Sequence, residues 1–329
     1  MQDIRTFVYF DLEATGLKSS GRPRVCEISL IAVNTCDVQD LYKPLLNRVS
    51  DRTNEDTIIQ IEKCSPRIMN KLTICVYPMA TIVPFVSSMT GLDNYNLTGQ
   101  TKFDRNIGSL LNIFLSCLPP PVCLVAHNGS QYDFPLLKAE MEKAGTKLES
   151  QILCVDSYLG IKSILKKNQQ IGSELKAVTE LQNAGEFDTD MLEGTCTKLK
   201  TGSDIDTVNN WSEISRQKNE TTPTRSISLL YPKHRPKKLK EVNNADKSKC
   251  RKRLDFLDCT MPTSFSLINL HKHFFGCPPN KSHGAEVDCL ALMRITAVLG
   301  NDWLQWAQQN CTQFEKCEVM WSMPRESII

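Results

Sequence analysis

Two acidic residues near the amino terminus, Asp11 and Glu13, stand two positions apart at the end of an apolar stretch with strand character. Because alternate residues of a strand project from the same face, both carboxylates are expected to point to one side of a sheet. Two such anions repel each other unless cations lie between them, and carboxylate oxygens suit Mg²⁺ or Mn²⁺. Asp-x-Glu also occurs by chance, so a solvated strand end is the alternative for this pair alone.

A third acid, Asp133, lies in the sequence VAHNGSQYDFPLL, after a predicted strand and turn and directly before a predicted apolar helix. Aspartate is a preferred helix N-cap, and its negative charge favours a helix N-terminus. A capping carboxylate can also bind a metal ion. Both roles are therefore open for Asp133.

The third segment with chemical potential is SHGAEVDCLALM, which contains His283 and Asp288. Asp288 falls near the first turn of a predicted helix, and His283 falls in the loop before it. This spacing lets the aspartate hold a metal ion while the imidazole approaches a water on that ion. A histidine near its ordinary pKa of about 6.5 suits proton removal at neutral pH. A surface histidine beside an N-terminal helix acid is the alternative.

The elements that must position these residues alternate between strand and helix patterns, which is typical of an α/β fold built on one sheet. Gly and Pro punctuate the pattern, with Gly276 ending one predicted helix and Pro78 ending one predicted strand. The predicted strands are Thr6–Phe10, Val25–Val33, Lys71–Tyr77, Val122–Ala126 and Ile152–Val155, and the predicted helices are Asp104–Leu118, Phe134–Gly145, Phe265–Phe275 and Ala285–Leu299.

Residues 166–253 have a different composition, with only three aromatic residues and sorted charges. Acidic residues dominate from Glu174 to Glu213, and basic residues dominate from Arg216 to Arg253. A long, polar, charge-segregated stretch predicts a disordered insert and not a second domain. The sequence thus predicts one domain formed by residues 1–165 plus 254–329, interrupted by the insert 166–253.

The whole-chain composition excludes several classes of protein. The 329 residues carry a net charge of +2 and include 14 cysteines, none in a C-x-x-C pair. No apolar run approaches the length of a membrane span, and the amino terminus lacks the pattern of a secretory signal. We therefore expect reduced thiols in a nuclear or cytoplasmic protein that is not secreted and has no membrane anchor.

Taken together and in this order, Asp-x-Glu, YDFPLL and His-x₄-Asp resemble the DEDDh branch of the 3′–5′ exonucleases. The segments FDLEATGL, SMTGL, CLVAHNG-x-x-YDFPLLKAE, SFSLINLHKHFFG and PRIMNKLTICVYP resemble the three-prime repair exonuclease family more closely. The resemblance covers residues 5–165 and 260–300. It implies a ribonuclease-H-like (DnaQ-like) fold, a mixed five-stranded sheet flanked by helices.

Carried over position by position, the resemblance implies catalytic roles for the four acids and the histidine. Asp11, Glu13, Asp133 and Asp288 would bind two Mg²⁺ ions, which Mn²⁺ can replace, and His283 would be the general base. Two such ions stabilise the attacking and the leaving oxygen of a phosphodiester cleavage. The expected activity is removal of nucleoside 5′-monophosphates from DNA 3′ ends, with single strands preferred.

The resemblance also implies residues that hold the 3′-terminal nucleotide. Glu13 and Ala14 would lie near the terminal sugar, Leu17 would wedge against the bases, and Met89 would form an apolar wall. Tyr132 and His283 would lie at the scissile phosphate. His127 and Asn128 are either phosphate contacts or turn residues. The family further implies a homodimer that pairs edge strands, with Lys71–Tyr77 as the expected edge.

Other functions stay open from the sequence alone. A 3′–5′ exoribonuclease on the same scaffold is one alternative, and a catalytically silent nucleic-acid-binding protein is another. Basic residues of the insert have the form of a bipartite nuclear-import signal for an import receptor, or of a mobile arm that holds nucleic acid. Deleting residues 216–253 would separate these two roles. The import candidates are Lys237, Lys238, Lys249, Arg251, Lys252 and Arg253.

Overall fold

The computed structural model describes residues 3–40, 65–183, 261–280 and 283–321. By its internal contacts the chain divides into a unit of residues 1–174 with 252–329 and a unit of residues 175–251. The first unit carries every candidate catalytic residue. The six import candidates lie outside the described residues.

A six-stranded mixed sheet forms the centre of the first unit, in the order β3-β2-β1-β4-β5-β6. The strands β1, β2 and β3 are antiparallel, β4 and β5 run parallel to β1, and β6 is antiparallel to β5. This order agrees with the predicted ribonuclease-H-like arrangement. Five strands were predicted, and the two-residue β6 is a sixth. The strands are β1 (Thr6–Ala14), β2 (Val25–Asn34), β3 (Asn70–Cys75), β4 (Val122–Ala126), β5 (Leu153–Asp156) and β6 (Thr312–Gln313).

Seven α-helices in the described ranges surround this sheet. All four predicted helices are confirmed with shifted ends, while α1, α2 and α5 are helices that the sequence patterns do not predict. The helices are α1 (Thr35–Asp40), α2 (Pro84–Thr90), α3 (Arg105–Ser116), α4 (Asp133–Lys143), α5 (Ser157–Asn183), α6 (Leu267–Phe275) and α7 (Ala285–Asn310).

Both faces of the sheet are buried, and β1 shows how its side chains are distributed between them. Phe7 and Tyr9 enter a core formed with α5, α6 and α7. Val8, Phe10 and Leu12 enter the opposite core, formed with α3 and α4. The alternation of a strand therefore decides which helix each β1 residue can contact.

The helix ends follow local signals in the sequence. The Asp104 carboxylate caps α3 by accepting hydrogen bonds from the backbone of Asn106 and Ile107. Gly276 ends α6 with a left-handed φ of 77°, which glycine adopts without steric cost. Helix α7 continues past the predicted end at Leu299 to Asn310, with a kink at Gly300.

The structure corrects the predicted start of the disordered insert. Residues 166–183 continue helix α5, and the prediction of disorder from residue 166 is wrong for this part. Lys, Gln, Glu and Leu favour helix even where no apolar face is buried, and Gln170 hydrogen-bonds Glu174 one turn on. Residues 184–260 lie outside the described residues.

The strand ends also differ from the predictions. Strand β1 extends to Ala14, so Asp11 and Glu13 lie within the strand, and β3 ends at Cys75 instead of Tyr77. Pairing with β2 along the whole of β1 explains the longer strand, because local patterns do not record which partner is available. None of the helices in the described ranges is long and apolar enough to cross a membrane.

Close packing at Gly160 of α5 generates a stability prediction. A Cβ atom at this glycine would lie 2.6 Å from ring atoms of both Trp303 and Trp306, whose indoles stack on each other. We expect Gly160→Ala to lower the free energy of unfolding by about 1–2 kcal/mol, because overpacking costs about 1–3 kcal/mol and the gain in helix propensity is below about 1 kcal/mol. Urea unfolding measures this difference.

Gly99→Ala is the matched control, because no atom lies within 4 Å of a Cβ at that exposed position. It should change the unfolding midpoint little. A Gly160→Ala protein as stable as the Gly99→Ala protein would contradict the packing argument.

Candidate active site

Three carboxylates from two elements converge at the end of the sheet. Asp11, Glu13 and Asp288 each offer an oxygen, and these oxygens lie within 4.8 Å of one another. Asp11 and Glu13 continue the β1 face that carries Phe7 and Tyr9, which is the face covered by α7. The first turn of α7 contains Asp288. The sequence prediction that these acids come together is therefore matched by their positions.

Asp133 joins this cluster from a third element. It is the first residue of α4, directly after the turn that follows β4, and its side chain is buried. Tyr132 occupies the N-cap position, so Asp133 lies one residue inside the predicted boundary. The negative charge of Asp133 raises the pKa of both Asp11 and Glu13, which places all four predicted acids in one electrostatic group.

Burial raises the pKa of every member of this group, and the charges of nearby carboxylates add to the rise at Asp11, Glu13 and Asp133. Burial raises the pKa of Asp11 well above its usual range, and Asp133, Asp288 and Glu13 add to the rise. Burial followed by the charge of Asp288 raises the pKa of Glu13 to about 8. Burial also raises the pKa of Asp133 to about 7. Such a group needs protons or cations at neutral pH, and an all-carboxylate donor set fits hard divalent ions.

His283 lies in the loop that enters α7 and has a left-handed backbone with φ of 75°. A hydrogen bond from its backbone and the charge of its side chain both lower the pKa of Asp288, against the larger rise caused by burial. The histidine is thus electrostatically coupled to one acid of the cluster. The structure brings all five predicted catalytic residues into one region.

A fifth carboxylate, Glu27 of β2, was missed by the sequence analysis. Glu27 lies opposite Glu13 in the β1–β2 register, and its charge raises the pKa of Asp11 and Glu13. Its Oε2 accepts a hydrogen bond of 2.9 Å from the backbone nitrogen of Ala285, the first residue of α7. Glu27 therefore fixes the helix start that presents Asp288. A lone acid inside an apolar strand was the signal available in the sequence.

Asp156 plays a similar part at the turn before Asp133. Its two carboxylate oxygens accept hydrogen bonds from the backbone nitrogens of Asn128 and Ser130, at 3.0 and 3.1 Å. Asn128 has a left-handed φ of 59°, a conformation that asparagine tolerates better than most residues. The carboxylate thus holds the turn that joins β4 to α4. This acid was also missed, although it follows an apolar strand.

His127 and Asn128, which the sequence predicted as phosphate contacts or turn residues, differ in their surroundings. Both ring nitrogens of His127 bond within the protein, Nδ1 with the Ser157 hydroxyl and Nε2 with the Phe265 carbonyl oxygen. Burial lowers the pKa of His127, which disfavours its charged form. The geometry favours a turn residue over a phosphate contact for His127, while Asn128 is exposed.

The remaining predicted substrate residues lie around the loop that joins β1 to β2. Leu17 is 65% exposed in this loop, and Met89 of α2 is 37% exposed. Ala14 ends β1 at a register shift, and the Tyr132 hydroxyl donates a hydrogen bond to the Gly16 carbonyl oxygen. Leu17 and Met89 thus both present accessible apolar side chains, and Tyr132 links α4 to the loop between β1 and β2.

A buried ion pair anchors the far end of this loop to α4. Arg24 contacts Glu140 through two hydrogen bonds of 2.6 and 2.7 Å, and Glu140 also accepts from the backbone of Val25. A bidentate pair of this kind fixes orientation as well as distance. The loop that carries Leu17 is consequently held at both ends.

Comparisons with known proteins agree with the predicted resemblance. The chain is 38% identical over 164 residues to three-prime repair exonuclease 1 of Homo sapiens, covering 49% of this chain and 48% of that protein. It is 36% identical over 161 residues to three prime repair exonuclease 2 of Homo sapiens, covering 48% of this chain and 62% of that protein. The chain therefore spans about half to three fifths of the length of these relatives. No protein-family model matches the chain.

Two solved structures of low sequence identity resemble this one weakly. Cell-death related nuclease 4 is 10% identical, with a TM-score of 0.42, and the match covers 89% of this chain and 63% of that chain. E. coli exonuclease I in complex with a dT13 oligonucleotide is 11% identical, with a TM-score of 0.42, and the match covers 91% and 41% of the two chains.

The raised pKa values predict how divalent ions affect stability at different pH. Glu13 and Asp133 bind protons more tightly in the folded state, so their contribution to stability is present at low pH. This contribution is fully present below the ordinary carboxyl pKa of about 4 and is lost progressively as the pH rises from there to about 7 to 8. In EDTA the melting temperature should therefore fall over this range. Mg²⁺ at about 100 times its dissociation constant should raise the free energy of unfolding by about 2.7 kcal/mol near pH 8. The rise should be smaller near pH 5, because protons then compete with Mg²⁺ for the same carboxylates. Thermal unfolding at the two pH values measures the difference.

Asp288→Asn and Asp302→Asn provide the comparison, since both lie on α7 and only the first is in the acidic cluster. Asp288→Asn should reduce the Mg²⁺-dependent shift, whereas the exposed Asp302→Asn should leave it as in the unmodified protein. If Mg²⁺ stabilised the protein equally at both pH values, or stabilised both variants equally, there would be no divalent-ion site at these acids.

Proposed function

We propose that the protein is a metal-dependent 3′–5′ exodeoxyribonuclease that removes nucleoside 5′-monophosphates from DNA 3′ ends. The observation that carries this proposal is the meeting of Asp11, Glu13 and Asp288 within 4.8 Å, beside Asp133 and the His283 loop. Both human relatives are named as three-prime repair exonucleases, which supports the same activity. Single-stranded ends are the proposed preference.

The four acids are proposed to hold two Mg²⁺ ions, with Mn²⁺ as a substitute. Bound divalent ions supply Lewis-acid chemistry, lowering the pKa of a water and stabilising charge on phosphate oxygens. The protein holds the acids on a strand and at two helix starts, and the two cores of the sheet fix these elements. Four carboxylates balance the charge of two divalent ions, and the substrate phosphate then meets no net negative charge.

His283 is proposed as the general base. Two observations support this role: the charge of His283 acts on Asp288, and His283 is only partly buried in the loop before α7. An imidazole nitrogen can accept a proton from the attacking water at neutral pH, because the ordinary histidine pKa is about 6.5. The left-handed backbone of His283 lets the chain turn into α7, which begins at Ala285 after the N-cap Gly284.

The exposed apolar residues are proposed to hold the 3′-terminal nucleotide. Leu17 and Met89 can contact any base face, so trimming would depend little on sequence. The backbone of Glu13 and Ala14 is proposed to lie near the terminal sugar, and Tyr132 and Asn128 near the scissile phosphate. His127 is proposed as a structural residue, since both of its ring nitrogens are engaged within the protein.

RNA is the alternative substrate that the acidic cluster does not exclude. Tolerance of a 2′-hydroxyl depends on pocket shape and not on the metal-binding residues. A catalytically silent nucleic-acid-binding protein is less favoured, because binding alone gives no chemical reason to gather four acids and a histidine.

A ladder assay with 5′-labelled oligonucleotides, DNA beside RNA, tests the activity directly. We expect shortening from the 3′ end in Mg²⁺ and none in EDTA. Asp288→Asn should lower the rate at least about 100-fold, because metal-ion catalysis supplies several kcal/mol of charge stabilisation. His283→Ala should lower it by about 10² to 10⁴, the range of general acid–base catalysis.

Two matched variants control for indirect effects of these substitutions. Asp302→Asn changes an exposed acid on the same helix as Asp288, and His273→Ala removes a half-buried histidine from α6. Both should cleave at the unmodified rate. Cleavage that persists in EDTA, or in Asp288→Asn, would rule out the proposed mechanism, and shortening of RNA alone would overturn the DNA assignment.

We also propose a homodimer that pairs through β3. This strand is at one edge of the sheet, and its neighbours Ile68 and Met69 are 38% and 47% exposed. An edge strand presents unpaired backbone groups that a second copy can satisfy. Sedimentation velocity at micromolar concentration should give about twice the 37.2 kDa of one chain, and a monomer at that concentration would argue against pairing.

A further inference from the structure

Two cysteines far apart in sequence meet at the edge of the sheet opposite β3. The Sγ atoms of Cys154, in β5, and Cys317, near the carboxyl end of the described residues, lie 3.4 Å apart. Among the residues that the structure describes, this is the only hydrogen-bonded pair of thiols. Both are reduced here.

Backbone pairing on both sides of the two cysteines fixes this approach. Cys154 lies opposite Thr312 in the β5–β6 register, and the backbone nitrogen of Phe314 donates to the Ile152 carbonyl oxygen. A single 3₁₀ turn, Phe314–Lys316, then returns the chain so that Cys317 faces Cys154. The two thiols are thus neighbours because of the fold and not through a chance rotamer at a loose terminus.

The surroundings of Cys317 favour a reactive thiolate. The hydrogen bond from Cys154 lowers the pKa of Cys317, and the Lys138 ammonium lowers it further. Lys138 is held close because its Nζ donates to the carbonyl oxygens of Glu315 and Cys317, at 2.7 and 2.6 Å. Cys317 is half-buried and reachable from solvent, whereas Cys154 is 3% exposed. This division resembles an attacking thiol and a resolving thiol.

We propose that Cys154 and Cys317 are a modification site that forms a reversible intramolecular disulfide on reaction with a hydroperoxide. The proposal does not depend on the proposed nuclease activity. It requires only the two sulfur atoms and the oxidant.

The chemistry balances in two steps. The Cys317 thiolate attacks the terminal oxygen of the hydroperoxide, the O–O bond breaks, and Cys317 becomes a sulfenic acid. The leaving alkoxide, which is hydroxide when the oxidant is hydrogen peroxide, takes up the proton that the Cys317 thiol released. The Cys154 sulfur then attacks the sulfenic sulfur and loses its proton, the S–O bond breaks, and the departing hydroxide takes up a proton as water. With hydrogen peroxide, two thiols and one peroxide give one disulfide and two waters, and two electrons pass from sulfur to oxygen.

The bond would tie a segment that packs on the helix carrying Asp133. This terminal segment, residues 311–321, contacts α4 through Phe314 against Phe134 and through the backbone of Met320, which donates to the Pro135 carbonyl oxygen. Its last described residue, Trp321, donates to the Pro23 carbonyl oxygen. A disulfide at Cys317 would keep residues 311–321 next to α4 even when their non-covalent contacts break.

The test oxidises the full chain with hydrogen peroxide, blocks the remaining thiols and maps the peptides by mass spectrometry. We expect a Cys154–Cys317 disulfide and a melting temperature raised by about 5–10 °C, both reversed by dithiothreitol. Cys317→Ser and Cys154→Ser should each abolish both changes. Cys117→Ser, which alters an exposed cysteine, should retain them.

Two results would overturn the proposal. In the first, Cys317 is oxidised to a sulfinic acid and no disulfide-linked Cys154–Cys317 peptide is found. In the second, hydrogen peroxide raises the melting temperature of Cys317→Ser as much as that of the unmodified protein. If either serine variant fails to fold, the reduced and oxidised forms of the unmodified chain still decide the outcome through the peptide map and its reversal.

Discussion

Repulsion among buried carboxylates is the constraint on which the arrangement of this protein depends. Asp11, Glu13, Asp133 and Asp288 would separate in an unconstrained chain, because burial disfavours the ionised form of all four and nearby carboxylates disfavour it further in the first three. They stay together because they belong to elements whose positions are fixed by the two cores of the sheet. The cores hold the acids together, and the resulting charge attracts cations.

Two further acids show that the role of a carboxylate here depends on its hydrogen-bond partners. Glu27 and Asp156 accept hydrogen bonds from backbone nitrogens, Glu27 at the start of α7 and Asp156 in the turn before α4. Their charges are therefore partly compensated by the protein itself. In the cluster, the backbone hydrogen bonds to Asp133 and Asp288 are outweighed by burial, so these acids depend on protons or cations as well. Glu27 and Asp156 thus hold the starts of α7 and α4, the two helices that carry Asp288 and Asp133.

Local strand alternation and helix-start signals predicted five of the strands, four of the helices and the candidate acids and histidine, whereas their grouping in one site came from the family resemblance. The sequence missed Glu27 because the partner of this residue, Ala285, lies 258 residues away and no local pattern records that contact. It missed β6 for the same reason, since two residues become a strand only beside β5. It placed disorder from residue 166 because α5 has few apolar residues beyond Leu165, although its polar residues still favour helix. Pairing and long-range caps were the parts that local patterns could not supply.

The two edges of the sheet differ in a way that bears on assembly. At the β5 edge, Thr312 and Gln313 pair with the strand, and the 3₁₀ turn Phe314–Lys316 follows directly. A short covering strand of this kind blocks the addition of another chain. Strand β3 is paired on the β2 side within the described residues, and its outer side has no strand there. The homodimer proposed above would therefore pair through β3, while residues 312–313 cover part of the β5 edge.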